Sequence, residues 1–173
     1  MSTAPSPTFT ARRPTSILVA VIVTGTVVVL AQVVEWAVLR TDARSAFDAQ
    51  PFHDVAHRHI VGPLYLELTF NHGSSFSMMS GGGWLPVLLA VLVTVAMAVV
   101  VWRAERWSVL VGGALALGGG LSNLIDRVHH GAVADYLWTS FWPTFNVADA
   151  AVTVGIATMV VGLLLPRHEV QGA

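Results

Sequence analysis

The 173-residue chain contains no cysteine and no lysine, and only 11% of its residues are charged. Without cysteine it has no disulfides, no thiol nucleophile, no thiolate metal ligands and no thiol for lipid attachment. All nine basic residues are arginines spread along the chain, and the net charge is −1. This pattern contains no basic patch, so we expect no nucleic-acid partner.

Hydrophobic residues make up 54% of the sequence, a share that indicates a lipid environment. Crossing a bilayer takes ~20 residues of helix, and four apolar runs of about this length lie at 17–39, 85–102, 107–126 and 147–165. Backbone groups in lipid must be satisfied internally, which favours helices. We predict an all-α integral membrane protein with four transmembrane helices, forming one domain over residues 1–173.

The first apolar run is expected to remain in the mature protein. It is uncharged from Ile17 to Val34, which is long for the core of a signal peptide, and it lacks an obvious small-residue cleavage site. The polar segment 1–16 precedes it, and we predict that this segment is cytoplasmic.

The arginines predict the orientation of the four spans. With four spans, both termini and the segment between spans two and three share one side, which carries five arginines in short segments. They are Arg12, Arg13, Arg103, Arg106 and Arg167. Positive residues are retained inside, so both termini should be cytoplasmic. Residues 40–84 and 127–146 then lie outside, and the strand-like composition of LYLELTFN (64–71) predicts a small β-containing extracytoplasmic region.

Two Asn-x-x-Asp units stand at the edges of the last two apolar runs. Asn123 precedes Asp126 by three residues, and Asn146 precedes Asp149 by three. A charged residue at mid-bilayer costs roughly 2.5–3.5 kcal/mol, so such residues are functional candidates by default. Span three runs outward and span four runs inward, so we predict that both units meet near the outer surface.

Paired carboxyl groups suit peptide hydrolysis without a metal or a covalent intermediate. Two carboxylates in close proximity tend to share one proton, which provides one base and one acid. The base takes a proton from water while the acid polarises a carbonyl, and the Asn amides orient the carboxylates.

Structural explanations compete with this one. Asn146 could cap the fourth helix, with Asp149 favoured by the helix dipole. Asp126 and Arg127 could be snorkelling at the membrane interface. A small proton-coupled transporter is a further alternative, but the sequence has neither the inverted repeats nor the broken helix expected of one.

Four blocks of the sequence carry a resemblance to a known protein family. They are NHGSSFS (71–77), GGGLSNLIDRV (118–128), VADYL (133–137) and FNVADAAVTVG (145–155). In order and layout, they resemble the signature blocks of the lipoprotein signal peptidases, the bacterial signal peptidase II family. The likeness covers nearly the whole chain beyond the first polar residues.

The resemblance implies a cofactor-free, metal-free aspartic endopeptidase of the bacterial plasma membrane, inhibited by globomycin and monomeric. Its partners would be membrane lipid and prolipoproteins, cut just before a diacylglyceryl-modified cysteine. By position, Asp126 and Asp149 would be the catalytic pair, and Asp135 would support the outer structure. The substrate-binding residues would be Asn71, Gly73, Asn123, Arg127 and Asn146.

Departures from the family pattern occur in span one. The family usually has an Asp and, four residues later, a Lys, within V-L-D-Q-x-x-K; the matching stretch here is VLAQVVEW, with Ala31 and Glu35 at those positions. Ser122 replaces a usual Gly. These departures keep open the alternative that the chain is a diverged copy, which binds lipopeptides without cutting them.

Other features favour packing or surface roles. His53, Asp54, His57 and His59 could bind a metal, but a His-rich surface loop is the simpler interpretation. The small residues Gly112, Ala116, Gly119 and Gly120 predict close helix packing, with Gly120 also a candidate for lining the pocket. An aromatic belt at the outer boundary is predicted at Trp84, Trp138 and Trp142.

Overall fold

The computed structural model describes residues 14–41, 58–73 and 84–166. The elements in these residues are α1 (Pro14–Leu39), β1 (Arg58–Val61), β2 (Leu64–Asn71), α2 (Trp84–Arg103), α3 (Trp107–His130), β3 (Val133–Thr139), β4 (Trp142–Phe145) and α4 (Val147–Leu164). Each of the four helices is long and apolar enough to cross a membrane. The prediction of four helices of spanning length is therefore confirmed within this part of the chain.

α3 runs four residues beyond the predicted span of about 107–126. α3 continues to His130 and stops at Gly131, whose left-handed backbone (φ 74°) directs its N–H to the carbonyl of Arg127. The prediction stopped at the first charged pair because lipid disfavours charge. Protein partners surround that pair instead, so Asp126 lies one turn inside the helix.

α3 packs against each of the other three helices. Its glycines allow close approach: Gly112 lies against Gly155 of α4, and Gly119 lies against Ala148. A Cβ added to Gly118 would stand 2.7 Å from Cβ of Val27 on α1. The predicted role of small residues in helix packing is confirmed for Gly112 and Gly119.

The remaining small residues of that set also pack. Ala116 is buried and lies against Gly155 of α4. Gly120 faces the Thr94 hydroxyl of α2, at 3.3 Å from a Cβ built on it, so its surroundings are those of a helix contact.

The four strands form one antiparallel sheet in the order β1-β2-β3-β4. β2 coincides with the predicted strand at 64–71. Its pairing with β3 sets Thr69 opposite Asp135 and Asn71 opposite Val133. The sheet therefore brings the first and second loops together.

The sheet lies at the end of the bundle where α1 and α3 finish and α2 and α4 begin. Leu68, Ala134 and Tyr136 of the sheet form a buried cluster against the last turns of α1, including Val34 and Val38. This contact fixes β3 over the helix ends and thereby places Asp135 beside them.

Tryptophans occur at the same end. Trp84 and Trp142 are exposed, as an interfacial belt requires. Trp138 is only partly exposed and packs edge to face on Tyr65, so it belongs to the sheet rather than to a belt.

Arg103 and Arg106 lie at the opposite end of the bundle, between α2 and α3. The Arg106 guanidinium donates to the carbonyls of Gly162 and Leu165, which satisfies free carbonyls at the end of α4. Arg12, Arg13 and Arg167, which also supported the predicted orientation, lie outside the described residues.

Candidate active site

Asp149 occupies the first turn of α4, in a reciprocal cap with Asn146. Oδ1 of Asn146 accepts from the Asp149 backbone N–H (2.8 Å), and the Asp149 carboxylate accepts from the Asn146 N–H (3.2 Å). The structural alternative for this unit, a helix cap, is thus present. The cap does not account for all the polar groups of this unit, because the other carboxylate oxygen of Asp149 and the side-chain amide of Asn146 both have partners outside α4.

Asn123 of α3 connects the two helices. Its side-chain amide donates to Oδ1 of Asp149 (2.8 Å), and its oxygen accepts from the Asn146 amide (3.1 Å). Asp126 follows Asn123 by three residues and therefore lies on the same side of α3. The two Asn-x-x-Asp units meet through Asn123, and the Asn123 side-chain amide and the Asn146 backbone N–H both donate to the Asp149 carboxylate.

Asp135 joins the sheet to this network. The buried Asp135 carboxylate accepts from the side-chain amide of Asn146 (3.2 Å) through one oxygen and from that of Asn71 (3.2 Å) through the other. The oxygen of Asn71 in turn accepts from the backbone N–H of Gly73 (2.9 Å). Six of the eight predicted site residues thus form one chain of hydrogen bonds, from Gly73 to Asp149.

Burial raises the pKa of Asp135 to about 6, and the nearby charge of Asp149 acts in the same direction. The hydrogen bonds from Asn71 and Asn146, and the charge of Arg127, oppose the shift without cancelling it. Burial likewise raises the pKa of Tyr136 to about 12, so its hydroxyl stays protonated. That hydroxyl accepts from the Val147 N–H (3.4 Å) at the start of α4.

Asp126 has a different set of partners, supplied by α1. Its side chain is almost fully buried, at 1% exposure. Nε2 of Gln32 donates to Oδ1 of Asp126 (2.6 Å) and also to the Ser122 hydroxyl (3.1 Å). The carboxyl group of Glu35, which is itself 5% exposed, lies beside Asp126, with oxygens of the two groups within 4.8 Å of each other.

Sequence reasoning did not assign roles to Gln32, Ser122 or Tyr136, and it treated Glu35 only as a departure. For Gln32 a signal was available in the sequence, because this residue matches the Gln of the family's V-L-D-Q-x-x-K pattern. Ser122 and Tyr136 carry no comparable signal, since a hydroxyl in an apolar segment is ordinary. Their roles depend on which helices pack together.

Arg127 turns back along α3. Its guanidinium donates to the carbonyl of Asn123 (3.1 Å), and its charge acts on Asp135. Arg127 is partly buried, and this position supports the polar cluster rather than the snorkelling alternative.

A wide cleft of about 570 Å³ opens on the α1 side of Asp126. It is lined by Gln32, Val33, Glu35, Trp36, Leu39, Arg40 and His130. Nδ1 of the exposed His130 lies 4.0 Å from Oε1 of Glu35. The cleft therefore connects the buried Glu35 carboxyl group with the surface.

Of the predicted His-rich cluster, only His59 lies within the described residues. His53, Asp54 and His57 lie outside the described residues. Nε2 of His59 lies 2.9 Å from the Gly62 carbonyl, and the His59 ring packs on Tyr65. Among the described residues, Glu35, Asp126 and His130 have potential ligand atoms within 4.8 Å of one another, and this group shares Asp126 with the proposed pair.

Four helices of spanning length, with carboxyl and amide groups gathered at one end, define a multi-pass membrane protein with a site suited to acid–base chemistry. The profile of the signal peptidase (SPase) II family matches residues 23–165. The chain belongs to the signal peptidase II family.

Individual relatives agree with this assignment. The lipoprotein signal peptidase of Syntrophomonas wolfei is 40% identical over 117 residues, covering 66% of this chain and 78% of that protein. That of Shewanella loihica is 30% identical over 148 residues, covering 80% and 81%. A bacterial membrane enzyme solved by the in meso method at 1.9 Å superposes with a TM-score of 0.67 at 25% identity, covering 87% of this chain and 92% of that one.

Proposed function

We propose that the protein is an aspartic endopeptidase that cuts prolipoproteins just before the diacylglyceryl-modified cysteine, with Asp126 and Asp149 as the catalytic pair. As a member of the signal peptidase II family it is a bacterial multi-pass membrane protease that removes signal peptides from prolipoproteins. The finer assignment is supported by one observation: Asn123, which lies one helical turn before Asp126 on α3, donates its side-chain amide to the Asp149 carboxylate.

The two carboxyl groups have different surroundings, which suits a division of roles. Asn123 and Asn146 orient the carboxylate of Asp149, so its remaining lone pairs can take a proton from water. Asp126 lies deeper, beside a second carboxyl group, where it can donate a hydrogen bond to the scissile carbonyl. No metal or covalent intermediate is needed for this reaction.

The predicted substrate-binding residues line the same network. The hydrogen bonds of this set join its members to one another, to Asp135 and to Asp149; the set is Asn71, Gly73, Asn123, Arg127 and Asn146. We expect them to shape the wall that receives the substrate backbone. Lipid-facing helix surfaces would leave the substrate's acyl chains in the bilayer.

The arrangement of the protein in the cell follows from the predicted orientation of its spans. Both termini would be cytoplasmic, the sheet would lie on the outer surface of the plasma membrane, and one copy would suffice for activity. The strong exposure of apolar side chains on α1, α2 and α4 supports contact with lipid.

A second function has a specific observation in its favour. Ala31 and Glu35 replace the usual Asp and Lys of span one, and the Glu35 carboxyl group lies beside Asp126. A copy that binds lipopeptides without cutting them would have this kind of change at its centre.

Cleavage by purified protein separates the two functions. The detergent-solubilised chain is incubated with a diacylglyceryl-modified prolipoprotein, and the shortened product is measured by mass spectrometry. Asp126→Asn and Asp149→Asn should each abolish cleavage, because each removes a proton-transfer group while conserving its shape. Glu105→Gln, at the other end of the bundle, is the matched control and should cleave normally.

Substantial turnover by either Asp variant would refute the catalytic pair. Binding of the prolipoprotein by the wild-type protein with no product, under conditions where another family member works, would favour the non-cleaving function.

A further inference from the structure

We infer that Glu35, Asp126 and His130 form a binding site for one divalent metal ion of the zinc class, at the sheet end of the contact between α1 and α3. Their potential ligand atoms, one from each side chain, lie within 4.8 Å of one another. The site goes beyond the proposed function, because the ion is assigned no step in cleavage. Asp126 would serve it as a ligand whatever the part of this carboxyl group in the reaction.

Two helices supply the three ligands. Asp126 and His130 are four residues apart on α3 and therefore share one face of that helix. Glu35 comes from the last turns of α1, and its Oε1 lies 4.0 Å from Nδ1 of His130. Zn²⁺ accepts carboxylate and imidazole ligands, and three protein ligands with an open position for water are a common arrangement. A bound ion would thus join α1 to α3.

Burial separates this cluster from acidic groups on a protein surface. Glu35 is 5% exposed and Asp126 is 1% exposed. Within the described part of the chain no N–H group donates to the Glu35 carboxyl group, and its ion-pair contact, His130, is 4.0 Å away, which is beyond hydrogen-bond distance. Buried charges in proteins are paired or bind metal ions. A divalent cation would balance both carboxylates.

The sequence departs from its family at this position in the matching direction. The pattern V-L-D-Q-x-x-K has a Lys where this chain has Glu35, so an anionic side chain stands beside Asp126 where the pattern has a cationic one. A bound cation would return positive charge to the same place. The site is therefore expected in this chain and not in relatives that keep the Lys.

Gln32 orients the Asp126 ligand. Nε2 of Gln32 donates to Oδ1 of Asp126 (2.6 Å) and to the hydroxyl of Ser122 (3.1 Å). Hydrogen bonds of this kind fix the direction of a metal-binding carboxylate, and their loss costs about 10–100-fold in metal affinity. Gln32 is therefore a supporting residue of the site.

The cleft beside the site gives an ion access from the surface. Its volume is about 570 Å³, and Glu35 and His130 are among its lining residues. Arg40 lines it too, but the guanidinium carbon lies 4.0 Å from the centroid of the Trp36 ring, in a cation–π contact. Tetrahedral zinc ligands stand about 3.3–3.6 Å apart, so the site must contract by about 1 Å. His130, 54% exposed, can rotate towards the buried carboxyl groups.

The test is direct metal binding by the full-length detergent-solubilised protein, purified without a polyhistidine tag. Calorimetric titration with Zn²⁺ gives the number of ions and their affinity, and the visible absorption bands of Co²⁺ report its coordination. The variants are Glu35→Gln, Glu35→Lys, His130→Gln and Gln32→Leu. The matched controls are His129→Gln, at the adjacent exposed histidine, and Glu105→Gln, at the other end of the bundle.

The wild-type protein should bind one Zn²⁺ per chain and develop visible Co²⁺ bands. Both Glu35 variants and His130→Gln should each weaken binding at least about tenfold, because each removes a ligand, and Gln32→Leu should weaken it about 10–100-fold. The two controls should bind as the wild-type protein does. Wild-type protein that binds no ion, or Glu35→Lys and His130→Gln with unchanged affinity, would overturn the metal site.

The His-rich segment is the main competitor for an added ion. The double change of His53→Gln with His57→Gln should leave the Co²⁺ bands in place, because the ion is held at Glu35 and His130. Loss of binding in this double variant, with binding retained in Glu35→Lys, would overturn the assignment.

Thermal unfolding separates ligand loss from misfolding. Zn²⁺ should raise the unfolding midpoint of the wild-type protein and of both controls, because a ligand stabilises the folded state that binds it. The midpoint of Glu35→Lys should not rise. If the Glu35 variants do not fold, His130→Gln decides the test, since its side chain is exposed. A rise in His130→Gln equal to that of the wild-type protein would refute the site.

Metal binding is measured without cleavage, so the site and the proposed function fail separately. Absence of cleavage by a protein that binds one ion would refute the proposed function alone. Cleavage by a protein that binds no ion would refute the metal site alone.

Discussion

Asp135 is the residue at which burial has the most direct consequence for stability. Its pKa in the folded protein is about 6, raised from an ordinary value of 3.8. Between these two values the folded state binds the proton more tightly than the unfolded state. The contribution of Asp135 to stability is therefore greatest below about pH 4, falls as the pH rises, and levels off above about pH 6.

Asp135→Asn should remove this pH dependence. A shift of two pKa units corresponds to about 3 kcal/mol, so the wild-type protein should lose roughly that much stability relative to the variant between pH 4 and pH 6. Thermal unfolding midpoints of both proteins in detergent measure the difference. Parallel curves for the two proteins would contradict the burial argument, because the other titrating groups are common to both.

Gly73 is sensitive to substitution because a larger side chain would meet a neighbouring residue. It has φ +83°, and a Cβ there would lie 2.9 Å from Cγ of Pro86 at the start of α2. Gly62 has a similar backbone (φ +53°) but open space around it. We expect Gly73→Ala to weaken binding of a labelled globomycin analogue about tenfold, within the 1–3 kcal/mol of an overpacked contact.

Gly62→Ala is the matched control for that measurement. It carries the same left-handed strain without the clash, so it should bind the globomycin analogue as the wild-type protein does. Equal loss of affinity in both variants would attribute the effect to backbone strain and not to Pro86.

At the scale of elements, the contact between α3 and α4 controls the site. A Cβ on Gly119 would meet the carbonyl oxygen of Ala148, and it would stand 2.8 Å from Cγ2 of Val152. Ala148 precedes Asp149, and Asn123 lies one turn beyond Gly119. Separation of the helices at this point would therefore lengthen the Asn123–Asp149 hydrogen bond directly.

Gly119→Ala should cost about 1–3 kcal/mol of stability and reduce cleavage further than the stability loss explains. The control is Gly25→Ala in α1, where a Cβ meets nothing within 4 Å. Alanine is the better helix former, so this control should be neutral or slightly stabilising. Unfolding midpoints and cleavage rates measure both effects, and wild-type cleavage by Gly119→Ala would show that the helices can adjust.

At the scale of the whole molecule, the orientation in the membrane can be tested because the chain has no cysteine. Ser140→Cys places one thiol in the turn between β3 and β4, and Glu105→Cys places one between α2 and α3. Both positions are exposed. A membrane-impermeant thiol reagent should label Ser140→Cys in spheroplasts, and it should label Glu105→Cys only after lysis. The opposite pattern would invert the proposed topology.

The sequence by itself predicted the four spans, the strand at 64–71 and the meeting of the two Asn-x-x-Asp units. These features depend on local periodicity, on the cost of charge in lipid and on the alternating direction of successive spans. The family blocks added Asn71, Gly73 and Asp135, which the sheet does connect to Asn146. Local and topological constraints of this kind can be read from a linear sequence.

Only the tertiary structure decided which side chain stands beside Asp126. Gln32 contacts Ser122 and Asp126, which lie 90 and 94 positions further along the chain. These contacts depend on the rotation and depth of α1 against α3. Apolar runs specify that helices span the membrane but not how far each one is rotated. The same long-range packing let α3 continue past Asp126, since protein groups replaced the lipid that would otherwise exclude the charge.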